Sequence, residues 1–327
     1  MPELQTFTTS GLEPRRRIDY WNDLAPHSLT QLAASPLNRR DFSGRLTRTE
    51  VGPIRLVAVE SDAAAPARPP GSDKREEPLM LELCHAEPVA NSMKALLCLK
   101  EKGLDFVSHC VDLLRFEQHQ PAFVKINPNG QVPVLVHNGA TITESTVINE
   151  YLDDVFPDVP LRPRNLIERA HMRIWSKFVD EYFCPALSMW GWHLMVRKVA
   201  QSLKKDQLDE ILGRIPLKEQ RDKWATIAGE SFTEAQLADS RRKIGVSFDR
   251  MEKILQKSPW LAGSTYSLAD VNSYSMVAGV PRLFDAIMNE KATPRSCQWL
   301  ARMNERPAVK AATAMPNKVP EVLRTFG

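Results

Sequence analysis

Apolar positions follow two regimes after residue 78 of this 327-residue chain: short runs mixed with helical spacing as far as residue 160, then helical spacing alone from 165. Leu79-Met80-Leu81-Glu82-Leu83 predicts a strand. Val89, Met93, Leu96 and Leu97 recur at helical spacing, and Lys102-Gly103 predicts the stop, because glycine takes the left-handed cap freely. Phe106 to Val111 predicts a second strand, and Phe116 to Val124 a short helix. Val134-Leu135-Val136 and Thr141-Ile142-Thr143 flank Asn138-Gly139, the strongest local signal for a hairpin. Ser145 opens a helix with Val147, Ile148, Tyr151, Leu152 and Val155 on one side. The order β-α-β-α-β-β-α predicts a thioredoxin-like domain over 78–160.

The stretch 165–327 predicts an all-helical domain. Trp175, Phe178, Val179, Tyr182 and Phe183 share helical spacing between Ile167 and Met195, with a break or kink expected at Pro185. Lys204 to Arg221 is highly charged and reads as exposed, and Ala238 to Leu255 as another helix. Ser267-Leu268-Ala269-Asp270 has the form of a capping box before an apolar helix, with Asp in place of Glu. Arg306-Pro307 stops and restarts the chain near its end.

Residues 1–61 add a short α/β extension, with a helix expected over 15–24 and strands at Phe42 to Leu46 and Ile54 to Val59. About sixty residues bury only a marginal core alone. Phe7-Thr8-Thr9, Pro14-Arg15, Tyr20-Trp21, Phe42-Ser43-Gly44-Arg45, Val59 and Ser61 resemble the opening of an AraC-type ligand-binding domain over residues 5–68. The remainder of that sensor domain and its DNA-reading helices have no counterpart, so the resemblance implies a truncated extension. Residues 62–77 hold small residues, prolines and charges with nothing to pack, which predicts a linker.

Composition changes this picture little. Hydrophobic residues make up 43% and charged residues 25%, and the net charge of +3 is too small to argue for nucleic acid. Five scattered cysteines lack metal-ligand spacing, so no metal is expected, and reduced thiols in the cytoplasm fit better than a disulfide framework. The first residues lack a basic start before an apolar core, so no signal peptide is expected. No apolar run approaches the roughly 18 residues that span a bilayer.

Two places carry chemistry. A cis peptide at Val132-Pro133 would turn the Val132 backbone outward, where it could pair with an extended peptide ligand in strand fashion; the alternative is an ordinary turn. Glu144 and Ser145 fall where the hairpin ends and a helix begins. Free N–H groups and a serine hydroxyl there can hold a carboxylate while Glu144 faces an ammonium; a simple capping serine is compatible with both.

Asn127-Pro128-Asn129-Gly130-Gln131-Val132-Pro133, Thr143-Glu144-Ser145, Ser267 to Asp270 and Trp299-Leu300-Ala301-Arg302 with Arg306-Pro307 together resemble the glutathione transferases over residues 78–318. Five further stretches are similar to the bacterial branch that cleaves β-aryl ethers: Ala90-Asn91-Ser92-Met93-Lys94, Glu101-Lys102-Gly103-Leu104, Phe116-Glu117-Gln118-His119, Thr143 to Ile148 and Val179 to Cys184. The resemblance implies glutathione as co-substrate, a small aromatic electrophile as second substrate, and a homodimer.

It also implies roles. Ser92 and Asn91 stand where the family places donors to the glutathione sulfur, and a hydroxyl, an amide and helix N–H groups each favour thiolate over thiol. Ser92 reads equally as a helix cap. Gln118 and His119 stand where relatives hold the glycine carboxylate; His119 also reads as a surface residue. Val132, Pro133, Glu144 and Ser145 would bind the rest of glutathione. Tyr182, Trp190 and Trp192 would line an aromatic pocket, whereas Trp175 and Phe183 read as core. Cys84 to Val89 departs from the branch: a glycine-rich turn is missing, Val89 stands where cysteine-type relatives carry a nucleophile, and Glu87 would oppose ionisation if it faced the thiol. The readings are attack on an aromatic electrophile such as a β-aryl ether, general conjugation or reductive dehalogenation, and a non-catalytic module binding glutathione or an aromatic ligand.

Overall fold

The computed structural model describes residues 80–86, 90–316 and 318, together with the backbone of 5–8, 44–51 and 54–61. The helix expected over 15–24, the linker at 62–77 and the residues Glu87, Pro88 and Val89 lie outside the described residues. The chain forms two compact units, Met1–Arg75 and Glu76–Gly327. In the first, β1 (Gln5–Thr8), β2 (Gly44–Val51) and β3 (Ile54–Ser61) make an antiparallel sheet in that order.

The second unit opens with a four-stranded sheet of order β5-β4-β6-β7. Strand β4 (Leu81–His85) pairs in parallel with β5 (Val107–Cys110) and antiparallel with β6 (Val134–His137), which pairs with β7 (Ala140–Ile142). Asn138 and Gly139 both take positive φ, 49° and 81°, as a two-residue hairpin turn demands. Helix α1 (Ala90–Glu101) buries every residue from 92 to 99, not just one stripe. It packs against α3 (Ser145–Val155) on one side and against two helices of the helical domain on another, so it has no wet face to keep polar. The short helix expected between Phe116 and Val124 is instead two 3-10 turns followed by α2 (Pro121–Val124). Asp112 accepts from the N–H groups of Leu114 and Arg115 at 3.0 and 3.1 Å and so starts the first turn, and Phe116 at φ 58° ends it.

The helical domain begins with α4 (Leu166–Phe178), capped by Asn165. A wide π turn, Val179–Phe183, leads into α5 (Cys184–Gly191); a second, Trp192–Val196, leads into α6 (Arg197–Ser202). Of the break or kink expected at Pro185, the break is absent, because the chain stays helical through it. Pro185 lies in the first turn of α5 directly after the wide turn, where the missing N–H and the ring are accommodated. Helices α7 (Lys205–Arg214) and α8 (Lys218–Ala228) show charge outward, yet bury Ile211, Trp224 and Ile227 in a second core with Phe116 and Ile215. The stretch expected to be exposed thus covers a core of its own.

The long α9 (Glu234–Leu255), α10 (Leu268–Val277), the short α11 (Val280–Leu283), α12 (Pro294–Glu305) and α13 (Pro307–Thr313) complete the main core. Trp175 and Phe183 are buried in it. At the start of α10 the capping box is formed: Ser267 Oγ accepts from the Ala269 N–H at 3.3 Å, and Asp270 Oδ2 accepts from the Ser267 N–H at 3.1 Å. Asp270 Oδ1 also accepts from the Trp299 indole at 2.8 Å and the Leu261 N–H at 3.1 Å. No helix among the described residues is long and apolar enough to cross a membrane.

Candidate active site

The first turns of α1 and α3 and the facing side of α4 and its π turn enclose a cleft of about 380 Å³. Its lining brings together Asn91, Glu144, Ser145, Thr146, Asp180 and Cys184, among others. Glu144 precedes α3 in a left-handed conformation, φ 66°, and its side chain makes no capping bond. Such a conformation costs a non-glycine residue about 1–3 kcal/mol, and here it is held by the exposed residue that directly precedes the free N–H groups of α3. Ser145 is the first residue of α3, not its cap, and is 7% exposed.

Most of the cleft's acids are already neutralised. Glu150 pairs with Arg173, with Oε2 to Nη2 at 2.7 Å, Glu181 pairs with Lys177, and Asp180 takes the fully buried Lys94 ammonium at 2.5 Å. Asp180 Oδ2 also accepts from the Thr146 hydroxyl at 2.7 Å, so one carboxylate ties α1, α3 and the π turn into a single wall. Glu144 alone of these acids lacks an ion-pair partner among the described residues.

On the α1 side, Ser92 is the third helical residue and 4% exposed. Its Oγ accepts from the Ala86 N–H at 3.1 Å, which leaves its own proton to donate. Ala86 is held from the other side by His85. The His85 Nδ1 lies 2.5 Å from the Ala86 carbonyl oxygen, which only accepts, so Nδ1 carries the proton. Nε2 then accepts from the Ser108 hydroxyl at 2.7 Å. Burial lowers the His85 pKa, in keeping with a neutral ring. Asn91 Oδ1 receives the Cys184 thiol at 3.9 Å, and burial raises the Cys184 pKa. Cys84 is buried in its strand and its pKa is likewise raised by burial, then by Glu82.

Other expected residues stand apart from the cleft lining. The Val132-Pro133 peptide is cis, and Val132 is half-buried at the edge of a small apolar cluster with Cys84, Val111 and Val134. Gln118 and His119 are buried, so His119 is not a surface residue. Gln118 Oε1 and His119 Nδ1 have no hydrogen-bond partner, and burial lowers the His119 pKa. Tyr182, Trp190 and Trp192 do not line the cleft. Tyr182 stacks on Phe178 with centroids 5.1 Å apart, Trp190 packs edge-on against Phe284 at 5.2 Å, and Trp192 packs against Trp224 at 5.1 Å. Trp190 and Trp192 pack onto the two cores, while Tyr182 lies half-buried against Phe178. Lys94, Thr146 and Asp180 went unassigned in the sequence: partners 34 and 86 residues apart leave no mark on local spacing. No cluster of metal-ligating side chains occurs among the described residues.

A thioredoxin-like domain joined to a helical domain, with a cleft at the start of its first and third helices, defines a glutathione-transferase architecture. The glutathione S-transferase N-terminal domain model matches residues 90–155, and the C-terminal domain model residues 183–307. The chain is 44% identical to Protein LigF from Sphingobium sp. (strain NBRC 103272 / SYK-6) over 238 residues, 71% of this chain and 92% of that protein. The solved structure of Beta-etherase LigF superposes with a TM-score of 0.69, covering 71% of this chain and 98% of that one. Glutathione transferase F7 from Populus trichocarpa, 28% identical, gives a TM-score of 0.56 over 72% of this chain and all of that one. This chain belongs to the glutathione S-transferase family. It is a glutathione-dependent transferase with glutathione as co-substrate.

Proposed function

We propose that the enzyme uses the glutathione thiolate to attack the ether-bearing carbon of a β-aryl ether, forming a thioether and releasing a phenol. The observation that carries this reading is the cleft itself. It sets an unpaired carboxylate and a helix N-terminus, at Glu144 and Ser145, across from Asn91 at the start of α1. Glu144 takes the γ-glutamyl ammonium, while Ser145 and the first N–H groups of α3 take its carboxylate. Val132, outside the strand ladder and without a hydrogen bond to another described residue, pairs with the cysteinyl backbone. Gln118, through its amide N–H₂, and His119, through an N–H at its unpartnered Nδ1, hold the glycine carboxylate. The sulfur then falls to Asn91 and Ser92, whose donors and helix N–H groups favour the thiolate. Similarity to Beta-etherase LigF supports an aryl ether as the electrophile.

The exposed apolar side chains Val147, Ile167 and Ile174 support a homodimer through this face of α3 and α4. Five free thiols support a reducing cytoplasmic setting. Residues 1–61 are an appended sensor-like extension in this reading.

The test is retention on immobilised glutathione followed by phenol release from a model β-aryl ether. Binding without turnover of any aryl ether refutes the assignment and favours a binding module. Turnover that survives Ser92→Ala unchanged removes Ser92 from the mechanism.

A further inference from the structure

On the side of α5 that leads away from Asn91, Cys184, Ser188 and Trp192 are spaced by four residues and share one helix face. Cys184 lines the cleft and touches Asn91, so the row runs from the proposed thiol position into the helical domain. Lys223 of α8 meets this row. Its Nζ donates to Ser188 Oγ at 3.1 Å and sits 4.4 Å from the centroid of the Trp192 ring. Among the described residues it has no carboxylate partner, whereas the buried Lys94 and Lys102 each have one. An ammonium has three N–H groups; the Ser188 hydroxyl accepts one and the indole face another, which leaves one to give.

We infer that Lys223, with Ser188 and the Trp192 ring, forms an oxyanion subsite that receives the aryl oxygen of the substrate as it leaves. This rests on the β-aryl ether reading of the same site. The glutathione sulfur forms the C–S bond, the C–O bond breaks, and its electron pair departs on the aryl oxygen. The Lys223 ammonium transfers a proton to that oxygen, so phenol leaves, and the amine regains its proton from water. Burial lowers the Lys223 pKa to about 8, below the value of about 10 for an ordinary phenol, so the transfer runs downhill.

The full-length enzyme and its Lys223→Met variant are compared on β-aryl ethers that share one alkyl part and differ in the acidity of the phenol released. For a methoxyphenyl ether kcat falls about a hundredfold, as for one lost general acid, while a nitrophenyl ether, which needs no acid, loses less than about fivefold. Lys223→Arg keeps the charge without a transferable proton and behaves like Lys223→Met on the methoxyphenyl ether. Glutathione Kd stays at the wild-type value in both variants. Equal losses on the two ethers overturn the assignment. If wild-type enzyme cleaves no aryl ether, the substrate reading fails separately and the subsite is judged by binding alone. Titration of para-nitrophenol, followed by its visible phenolate absorption, then shows a lowered apparent pKa with wild type and none with Lys223→Met. Identical titrations with the two proteins overturn the subsite as well.

Discussion

Asp270→Asn tests the electrostatics of the capping box most directly. The wild-type carboxylate accepts four hydrogen bonds: Oδ1 from Leu261 N–H and Trp299 Nε1, and Oδ2 from Ser267 N–H at 3.1 Å and from the Ser267 hydroxyl at 3.4 Å. Asparagine keeps one carbonyl oxygen, which serves Leu261 and Trp299, and turns an N–H₂ group toward the Ser267 N–H. A fully buried donor then faces a donor. Each such unmade bond costs about 1–3 kcal/mol, so the variant loses roughly 3 kcal/mol. The pH dependence carries a definite sign. Burial raises the Asp270 pKa from 3.8 to about 6 despite its four donors. Between those values the folded protein holds a proton that the unfolded chain has released, so the contribution of Asp270 grows as pH falls from about 7 to about 4. Two pH units correspond to about 3 kcal/mol. Asparagine does not titrate, so the gap between wild type and variant widens on acidification. Urea unfolding followed by tryptophan fluorescence at several pH values measures it. A gap below about 1 kcal/mol, or one that narrows toward acid, refutes this account of the box.

Three further outcomes are expected. Glu144→Gln weakens glutathione binding by about ten- to a hundredfold, one charge-assisted hydrogen bond, with urea stability within about 0.5 kcal/mol of wild type; calorimetry and unfolding together check both halves. Lys94→Met leaves Asp180 partly hydrated but unpaired, costs about 2–3 kcal/mol in urea unfolding and lowers kcat/KM about tenfold through a looser cleft wall. Gly130→Ala places a Cβ 2.7 Å from His119 Nδ1 at φ +61°, so it costs about 2 kcal/mol and raises the KM for glutathione; an unchanged KM would remove His119 from glutathione binding.

What could be read from the sequence was local. Asn138-Gly139, Lys102-Gly103 and Ser267 to Asp270 each fix their turn or cap within a few residues, so the hairpin, the end of α1 and the start of α10 stand where the pattern put them. The cleft's binding end was legible for the same reason, since Glu144 and Ser145 are neighbours at one helix start. The reaction end was not. Asp180 meets Lys94 and Thr146 only when the two domains close on each other, and the tryptophans at 190 and 192 share their spacing equally with a pocket wall and with a core. The second core beneath α7 and α8 was hidden by the charges that cover it. Pro185 misled because a wide turn can absorb a proline that a regular helix cannot.

Those wide turns have a consequence for how the site can change. In a regular helix residues four apart drift around the axis by about 40° at each step, and a row soon walks off its face. A π turn winds less per residue and cancels that drift. The π turn at Val179–Phe183 does this between positions 180 and 184, and 188 and 192 then follow along the regular turns of α5, so the four positions mark successive depths along the active site. Asp180 meets the Lys94 wall, Cys184 the cleft, and Ser188 and Trp192 the neighbourhood of Lys223. Exchange at 188 or 192 leaves the Asp180 ties to α1 and α3 intact, so substrate preference can drift here while the glutathione half stays fixed.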